Sequence, residues 1–184
     1  MSTDPRPNQI LSYRGTSPRL GESVFVAPGA RIIGDVEIGD HSSVWFNTVI
    51  RGDVHYVRIG ARVNLQDLTM VHVTNGTCAT IIEDAVTVGH RAILHGCHVE
   101  RHCLIGMGAI VMDRARIGEF SLIGAGSVVT EGTIIPPRTL ALGTPAKPRR
   151  PLTEAELEHL THAADRYVTY ASHYMASGEG GGEP

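Results

Sequence analysis

Three histidines in the middle of the chain have the residue type and the spacing to bind one metal ion. His90 and His95 lie five residues apart in the stretch TVGHRAILHG, and His72 precedes them. A spacing of five does not align two side chains on one face of a helix, and on a strand an odd spacing points them to opposite faces. Whether the histidines form one site therefore depends on the fold that positions them.

A six-residue period surrounds these histidines and predicts a β-helix. Chains with this repeat form three short strands per triangular coil, with the aliphatic side chain pointing inward, and successive coils stack about 4.8 Å apart. A β-sandwich, the alternative, would show a two-residue period and turns of variable length. The aliphatic residues that follow the six-residue period are Val26, Ile32, Ile38, Val44, Ile50, Ile59, Leu65, Val71, Ile82, Val88, Leu94, Val99, Ile105, Val111, Ile117, Ile123 and Val129.

The period slips in three places, and the slips cluster around the histidines. They fall within 50–59, 71–82 and 94–99, and the second contains a polar loop, TNGTCAT, with an Asn-Gly turn signal. Insertions in repeat proteins map to loops on one face, which is often the binding face. We therefore expect the functional site on this side of the coils.

The register of the repeat predicts which histidines lie together. When the polar loop is treated as an excursion, Val71 and Leu94 occupy equivalent inward positions one coil apart. His72 and His95 directly follow them and should stand side by side on one outer face, where two imidazoles can share a metal. His90 belongs to another side of the triangle, so a neighbouring subunit of a threefold assembly would have to supply it. Spacing alone leaves an alternative open, in which the His72–His95 pair is accidental and His90 is a solvated corner residue.

Composition and charge argue for one cytoplasmic domain without nucleic-acid or membrane partners. A length of 184 residues suits one domain, and 21 glycines with only 5% aromatic residues favour a repetitive β architecture. A net charge of −3 gives no attraction to nucleic acid or anionic membranes, and no apolar run approaches the length of a membrane span. The cysteines lack a C-x-x-C pair and no apolar signal segment begins the chain, so we expect a reducing, cytoplasmic setting.

The C-terminal part of the chain predicts a helix that follows the solenoid. Thr153 and Glu156 form a capping box, and the apolar residues after them share one helix face. This face would lie against the β-helix or a neighbouring subunit. The predicted organisation is an N-terminal lead-in over 1–20, a β-helix with the metal site over 21–135, a connector over 136–152, the helix over 153–175 and a disordered tail over 176–184.

Three stretches together resemble the γ-class carbonic anhydrase-like family of hexapeptide-repeat proteins. They are WFNTVIRGDVHYVRIGARVNLQDLTMVHV, TVGHRAILHGC and LIGMGAIV, and the resemblance runs from about residue 10 to 175. It implies an all-β solenoid, specifically a left-handed parallel β-helix with a C-terminal α-helix, that assembles as a homotrimer. It also implies a metal at each subunit interface, held by His72 and His95 of one subunit and His90 of the next. Zn²⁺ is the expected cofactor, and Fe²⁺ or Co²⁺ also suits imidazole ligands.

The resemblance extends to residues around the metal. The amides of the NLQD segment would orient water and substrate, and the RGD segment would form ion pairs at the interface. A tyrosine of the C-terminal helix reaches the site in many family members, although by periodicity alone it is a packing residue. The implied catalytic residues are Gln66, Asn64 and Tyr167, and the implied interface residues are Arg51, Asp53 and Asp67.

The sequence departs from the family pattern at the proton shuttle. The archetypal enzymes carry glutamates in an acidic loop, but here Val54 follows RGD and Asn75 follows HVT. His55 or Tyr170 are the candidates to replace them. This departure bears on the turnover rate more than on metal binding.

The leading functional hypothesis is a metal-dependent lyase of the carbonate dehydratase type, which hydrates CO₂ reversibly to bicarbonate. A bound Zn²⁺ lowers the pKa of water from about 15.7 toward about 7 and so supplies hydroxide at neutral pH. A hexapeptide acyl-CoA transferase or thioesterase is the first alternative, suggested by LGTPAKPRR near the end of the repeats, and it needs a histidine free to act as a base. A trimeric scaffold of low activity that retains the metal site is the second, and the missing glutamates favour it.

Overall fold

The computed structural model describes residues 9–177 and forms a left-handed parallel β-helix of about seven turns, followed by one helix. The predicted fold class is therefore confirmed. Each aliphatic residue of the six-residue period lies in one continuous core, and none of them is more than 5% exposed. Burying one such side chain completely stabilises the fold by roughly 1.5–3 kcal/mol, so the column of aliphatic residues is the main source of stability.

The strands are short because each one forms a single side of the triangular coil. In chain order the elements are β1 (Ile10–Leu11), β2 (Arg19–Leu20), β3 (Phe25–Val26), β4 (Arg31–Ile38), β5 (Ser43–Val44), β6 (Val49–Ile59), β7 (Asn64–Leu65), β8 (Met70–His72), β9 (Thr80–Ile82), β10 (Thr87–Val88), β11 (Ile93–His95), β12 (His98–Val99), β13 (Leu104–Ile105), β14 (Ile110–Val111), β15 (Arg116–Ile117), β16 (Leu122–Ile123), β17 (Val128–Val129), β18 (Ile134–Ile135), β19 (Thr139–Gly143), β20 (Ala146–Pro151) and α1 (Glu154–Ser177).

Parallel pairing between coils creates three faces. The first face contains β8, β11, β14 and β17, and the second contains β9, β12, β15 and β18. The third contains β3, β5, β7, β10, β13, β16 and β19 in order. The long strand β6 turns from the first face to the second, since its start pairs with β8 and its end pairs with β9.

Several corners of the coils are formed by residues with long side chains rather than by glycine. Arg62, Leu68, Arg91 and Arg114 all have φ between 56° and 61°, a left-handed conformation that is uncommon outside glycine. The amide of Arg91 donates to the carbonyl of Asp67 on the preceding coil at 2.9 Å, and those of Arg62 and Arg114 make equivalent bonds at 2.8 Å. These bonds between coils offset the local strain.

Paired strands extend beyond the predicted solenoid bounds of 21–135. Strand β1, in the predicted lead-in over 1–20, pairs in parallel with β4, and β19, in the predicted connector over 136–152, pairs in parallel with β16. The chain then folds back as the antiparallel strand β20. The six-residue step missed these additions because β1 falls outside its register and β19 has the small residue Ala141 at the inward position.

Helix α1 begins and ends close to the predicted bounds of 153–175. The backbone amide of Thr153 donates to Glu156 Oε2 at 2.8 Å and the amide of Glu156 donates to Thr153 Oγ1 at 3.3 Å, which confirms the capping box. The helix continues to Ser177, so the first two residues of the predicted disordered tail are helical. The rest of that tail, 178–184, lies outside the described residues.

The helix packs on the third face of its own chain rather than standing free for a neighbour. Its first half contributes Leu157 and Leu160 to a cluster with Leu104, Phe120, Leu122 and Leu140. Its second half contributes Ala171, Tyr167 and Tyr174 to an aromatic cluster with Phe25, Trp45 and Phe46. Between residues 9 and 177 no helix has both the length and the apolar character needed to cross a bilayer.

Candidate metal centre

Two of the three predicted ligands meet on the first face. His72 ends β8, His95 ends β11, and the two are partners in the strand register. Their rings lie 5.1 Å apart between centroids, with His72 Nδ1 3.1 Å from His95 Nε2. The predicted adjacency of these histidines is confirmed.

The facing nitrogen atoms have a separation that fits a shared metal ion. Two ligand atoms at 2.0–2.1 Å from a tetrahedral Zn²⁺ lie about 3.3 Å apart, close to the 3.1 Å between His72 Nδ1 and His95 Nε2. Each ring uses its other nitrogen for a carboxylate: His72 Nε2 lies 3.1 Å from Asp53 Oδ1, and His95 Nδ1 lies 2.5 Å from Asp113 Oδ1. Carboxylates placed behind ligating histidines fix the ring orientation and the tautomer.

Asp53 also links His72 to Arg51. The guanidinium of Arg51 forms an ion pair with the second carboxylate oxygen of Asp53. Burial acts to raise the pKa of Asp53, but hydrogen bonds from Arg51 and His72 outweigh it and lower that pKa. Burial lowers the pKa of His72, against the opposing effect of Asp53. The result is an ionised carboxylate beside a neutral imidazole, the state that a metal ligand requires.

His90 lies on the third face, away from the pair. It follows β10, and its Nδ1 is 2.7 Å from Asp67 Oδ2, which leaves Nε2 for another partner. Because the pair ends strands of the first face, one chain does not bring the three rings together. Within residues 9–177 no three His, Cys, Asp or Glu side chains are arranged to hold a metal ion.

The predicted catalytic amides are buried beside His90. Gln66 Nε2 donates to Asn64 Oδ1 at 3.2 Å, and Asn64 Nδ2 donates to Thr87 Oγ1 at 2.9 Å. This chain of hydrogen bonds fixes the orientation of both amides. Gln66, His90 and Tyr167 line one cleft of about 430 Å³ on the third face.

Tyr167 reaches this region from α1. Its ring packs edge-on against Trp45, with 5.8 Å between centroids, and it lines a second cleft with His90 and Asp67. Burial raises the pKa of Tyr167, and the neighbouring Tyr170 and Asp67 act in the same direction. The phenol therefore stays protonated and can donate a hydrogen bond toward the cleft.

The predicted site residues thus form two groups in one chain. The first face carries Arg51, Asp53, His72 and His95, and the third face with α1 carries Asn64, Gln66, Asp67, His90 and Tyr167. The two candidates for a proton relay also divide: His55 packs against Tyr56 on β6, and Tyr170 packs against Tyr167 on α1.

Sequence reasoning missed Asp113 and Thr74. Asp113 contacts His95, and Thr74 Oγ1 donates to the second oxygen of Asp113. Asp113 directly follows Met112, which is the register equivalent of His95 on the next coil, because the two strands are offset by 17 residues. The six-residue step slips between Leu94 and Val99, so a regular repeat does not by itself place Asp113 beside His95.

Comparisons with known proteins agree with the fold. The family profile "Bacterial transferase hexapeptide (six repeats)" matches residues 17–52 and 96–131. A carbonic anhydrase of Geobacillus kaustophilus is 50% identical over 91% of both chains. The mitochondrial gamma carbonic anhydrase 2 of Arabidopsis thaliana is 40% identical over 90% of this chain, which spans 62% of the plant protein. A solved structure from Bacillus cereus, provisionally described as an acetyltransferase, is 46% identical with a TM-score of 0.89, covering 91% of this chain and 97% of that one.

These similarities define a hexapeptide-repeat β-helix protein with a carbonic anhydrase-like sequence throughout. The similarity to these curated relatives extends over 90–91% of the chain. The chain belongs to the γ-class carbonic anhydrase-like family.

Proposed function

We propose that this chain is the subunit of a homotrimeric, metal-dependent carbonic anhydrase that hydrates CO₂ reversibly to bicarbonate. The observation that carries the proposal is the His72–His95 pair, with facing nitrogen atoms 3.1 Å apart and a carboxylate behind each ring. Relatives named carbonic anhydrase support the reaction class.

The ligand set would be completed across a subunit interface. His72 and His95 of one subunit would hold the ion together with His90 of the next, whose Nδ1 is already engaged by Asp67. Three neutral imidazoles with one open position are a ligand set of catalytic zinc, and Fe²⁺ or Co²⁺ also suits them. The bound ion would supply a water that ionises near neutral pH.

The residues around the ion would orient the reactants. Gln66 is buried and fixed by Asn64, so its amide can hold CO₂ or bicarbonate in one orientation without further ordering. Tyr167 would donate from the helix side of the cleft. Asp53 would keep His72 in place, and Arg51 would hold Asp53 and add positive charge near the anionic product.

Stopped-flow CO₂ hydration tests this function, with protein loaded separately with Zn²⁺ and, under anaerobic conditions, with Fe²⁺. We expect hydration with at least one metal and about one metal ion per chain by elemental analysis. A native trimer that takes up neither metal would contradict the proposal. Metal uptake without hydration would instead support a scaffold that retains the site.

A second candidate function, acyl transfer or thioester hydrolysis, is favoured by the cleft beside His90. The Asp67–His90 pair at 2.7 Å has the arrangement of a carboxylate-oriented general base. The cleft wall is apolar, with Leu104, Met107 and Leu122 in it. Two results together would favour this function: metal-free protein turns over a thioester and His90→Ala abolishes that turnover, while the protein shows no CO₂ hydration.

A further inference from the structure

We propose that Asp113 and Thr74 form a positioning unit for His95, which makes the loop between β8 and β9 part of the metal centre. This inference rests on the proposed metal site but concerns residues that neither the sequence pattern nor the relatives assign. Asp113 and Thr74 act through His95, so they are positioning residues rather than catalytic ones.

Both oxygens of the Asp113 carboxylate are engaged. Oδ1 lies 2.5 Å from His95 Nδ1, and Oδ2 accepts a hydrogen bond from the hydroxyl of Thr74. With one oxygen on the ring and the other on a fixed hydroxyl, the carboxylate cannot rotate away from His95. Because an ionised carboxylate only accepts hydrogen bonds, His95 must carry its proton on Nδ1 and present the lone pair of Nε2 toward His72.

The backbone between ligand and carboxylate is adapted to this contact at Gly96. Gly96 has a φ of +55°, and a Cβ atom there would lie 2.5 Å from Asp113 Oδ1 and 2.8 Å from the Cβ of Cys78. Only a residue without a side chain lets Asp113 approach the ring. The amide of Arg114 also donates to the carbonyl of Gly96 at 2.8 Å, which fixes Asp113 relative to the His95 strand.

The loop that presents Thr74 is held at several points. Thr74 and Cys78 form an antiparallel bridge, and the amide of Gly76 donates to the carbonyl of Val54 on β6 at 3.1 Å. At the end of the loop, the Thr80 hydroxyl donates to the carbonyl of His72 at 2.5 Å and accepts from the amide of Gly96 at 2.8 Å. The loop therefore connects both ligand strands to the carboxylate.

The expected consequence is tighter metal binding through pre-organisation of His95. Loss of a partner behind a ligating histidine typically lowers metal affinity by about 10- to 100-fold. Asp113→Asn keeps the size of the side chain and removes the charge, and Thr74→Val removes the hydroxyl that holds it. Thr74→Ser retains that hydroxyl, and Thr77→Val makes the same chemical change at an exposed position of the same loop.

The test is zinc affinity of the purified trimer, measured by competition with a chromophoric chelator, together with the visible spectrum of the Co²⁺-loaded protein. We expect Asp113→Asn to weaken Zn²⁺ binding by about 10- to 100-fold and to shift the cobalt bands. Thr74→Val should weaken binding by a smaller factor, while Thr74→Ser and Thr77→Val should match wild type. Because Thr74 acts through Asp113, the double variant should be no weaker than Asp113→Asn alone.

The possible failures are distinguishable. Wild-type affinity and spectrum in Asp113→Asn and in Thr74→Val would overturn this inference while leaving the proposed function intact. A wild-type trimer without metal uptake would overturn the proposed function itself. If Asp113→Asn does not fold, the comparison of Thr74→Val with Thr74→Ser and Thr77→Val decides the question.

Discussion

The first face of the solenoid carries a candidate metal site on two coils and an ordinary surface on the next two. The inward residues Val71, Leu94, Val111 and Val129 occupy one column and are equally buried. The residues that directly follow them are His72, His95, Met112 and Thr130. The strands of all four coils pair in parallel on this face, so the chemistry comes from the outward side chains and from the polar loop that supports two of them.

The largest effect is expected from substituting a candidate metal ligand of the first face, compared with substituting a histidine of the second face. His72→Ala should remove the metal and lower CO₂ hydration on the order of 10³-fold, because several kcal/mol of transition-state stabilisation depend on the ion. His98→Ala should have wild-type metal content and rate, since His98 pairs with Glu83 on the second face. Elemental analysis and stopped-flow hydration check both variants, and equal behaviour of the two would remove the distinction between the faces.

Core substitutions should separate stability from function. Leu94→Ala and Ile117→Ala each empty a fully buried position, so each should cost about 2–5 kcal/mol of unfolding free energy. Leu94 directly precedes His95, so only its substitution should also weaken metal binding. Denaturant unfolding and chelator competition measure the two effects. Reduced metal affinity in Ile117→Ala would contradict this prediction, because it would mean that coils without a candidate ligand also determine metal binding.

An acid added beside the coils of the candidate metal site should accelerate proton removal. Val54 occupies the position after RGD where the archetypal family members have glutamate, and it is 37% exposed, so a carboxylate is tolerated there. Val54→Glu should raise the maximal hydration rate roughly tenfold, less than the about 10²- to 10⁴-fold that a well-positioned general acid or base contributes, and reduce the response to added imidazole buffer. Thr77→Glu adds the same charge on the neighbouring loop and should have little effect. An unchanged rate in Val54→Glu would place the rate limit elsewhere.

The smallest expected effect concerns the helix on the third face. Arg150 and Thr153 lower the pKa of Glu156 from 4.5 to about 2, so the ionised carboxylate stabilises the native state above pH 4.5 and loses this effect as the pH falls toward 2. Glu156→Gln should therefore melt slightly below wild type at pH 7 and equally near pH 2. Glu158→Gln, exposed on the same helix, is the matched control. A difference in melting temperature that persists at pH 2 would contradict the assignment.

The sequence predicted the parts of the molecule that depend on periodicity. The six-residue step identified the inward column, and the register after Val71 and Leu94 placed His72 beside His95, as the strand pairing has it. The helix cap at Thr153 followed from local hydrogen bonding that the residue types specify. These features are local or periodic, so the amino-acid sequence alone is enough to infer them.

The remaining features depend on contacts that the period does not mark. Asp113 meets His95 because Gly96 allows the close approach, and nothing in the repeat distinguishes that glycine from the others. The left-handed corner at Arg91 is stabilised by its bond to Asp67 on another coil. Strand β1 pairs with β4 through backbone hydrogen bonds, and the six-residue period does not extend to β1 to predict them.

Co-expression of two inactive variants tests most directly whether each metal site is shared between two subunits. His90→Ala retains the pair but lacks the third ligand, and His72→Ala has the reverse defect. In a cyclic trimer that contains both variants, one interface joins an intact pair to an intact His90. We predict that each homotrimer binds little metal and that isolated mixed trimers bind one ion and regain hydration. Mixed trimers as metal-free and inactive as the homotrimers would contradict the shared site.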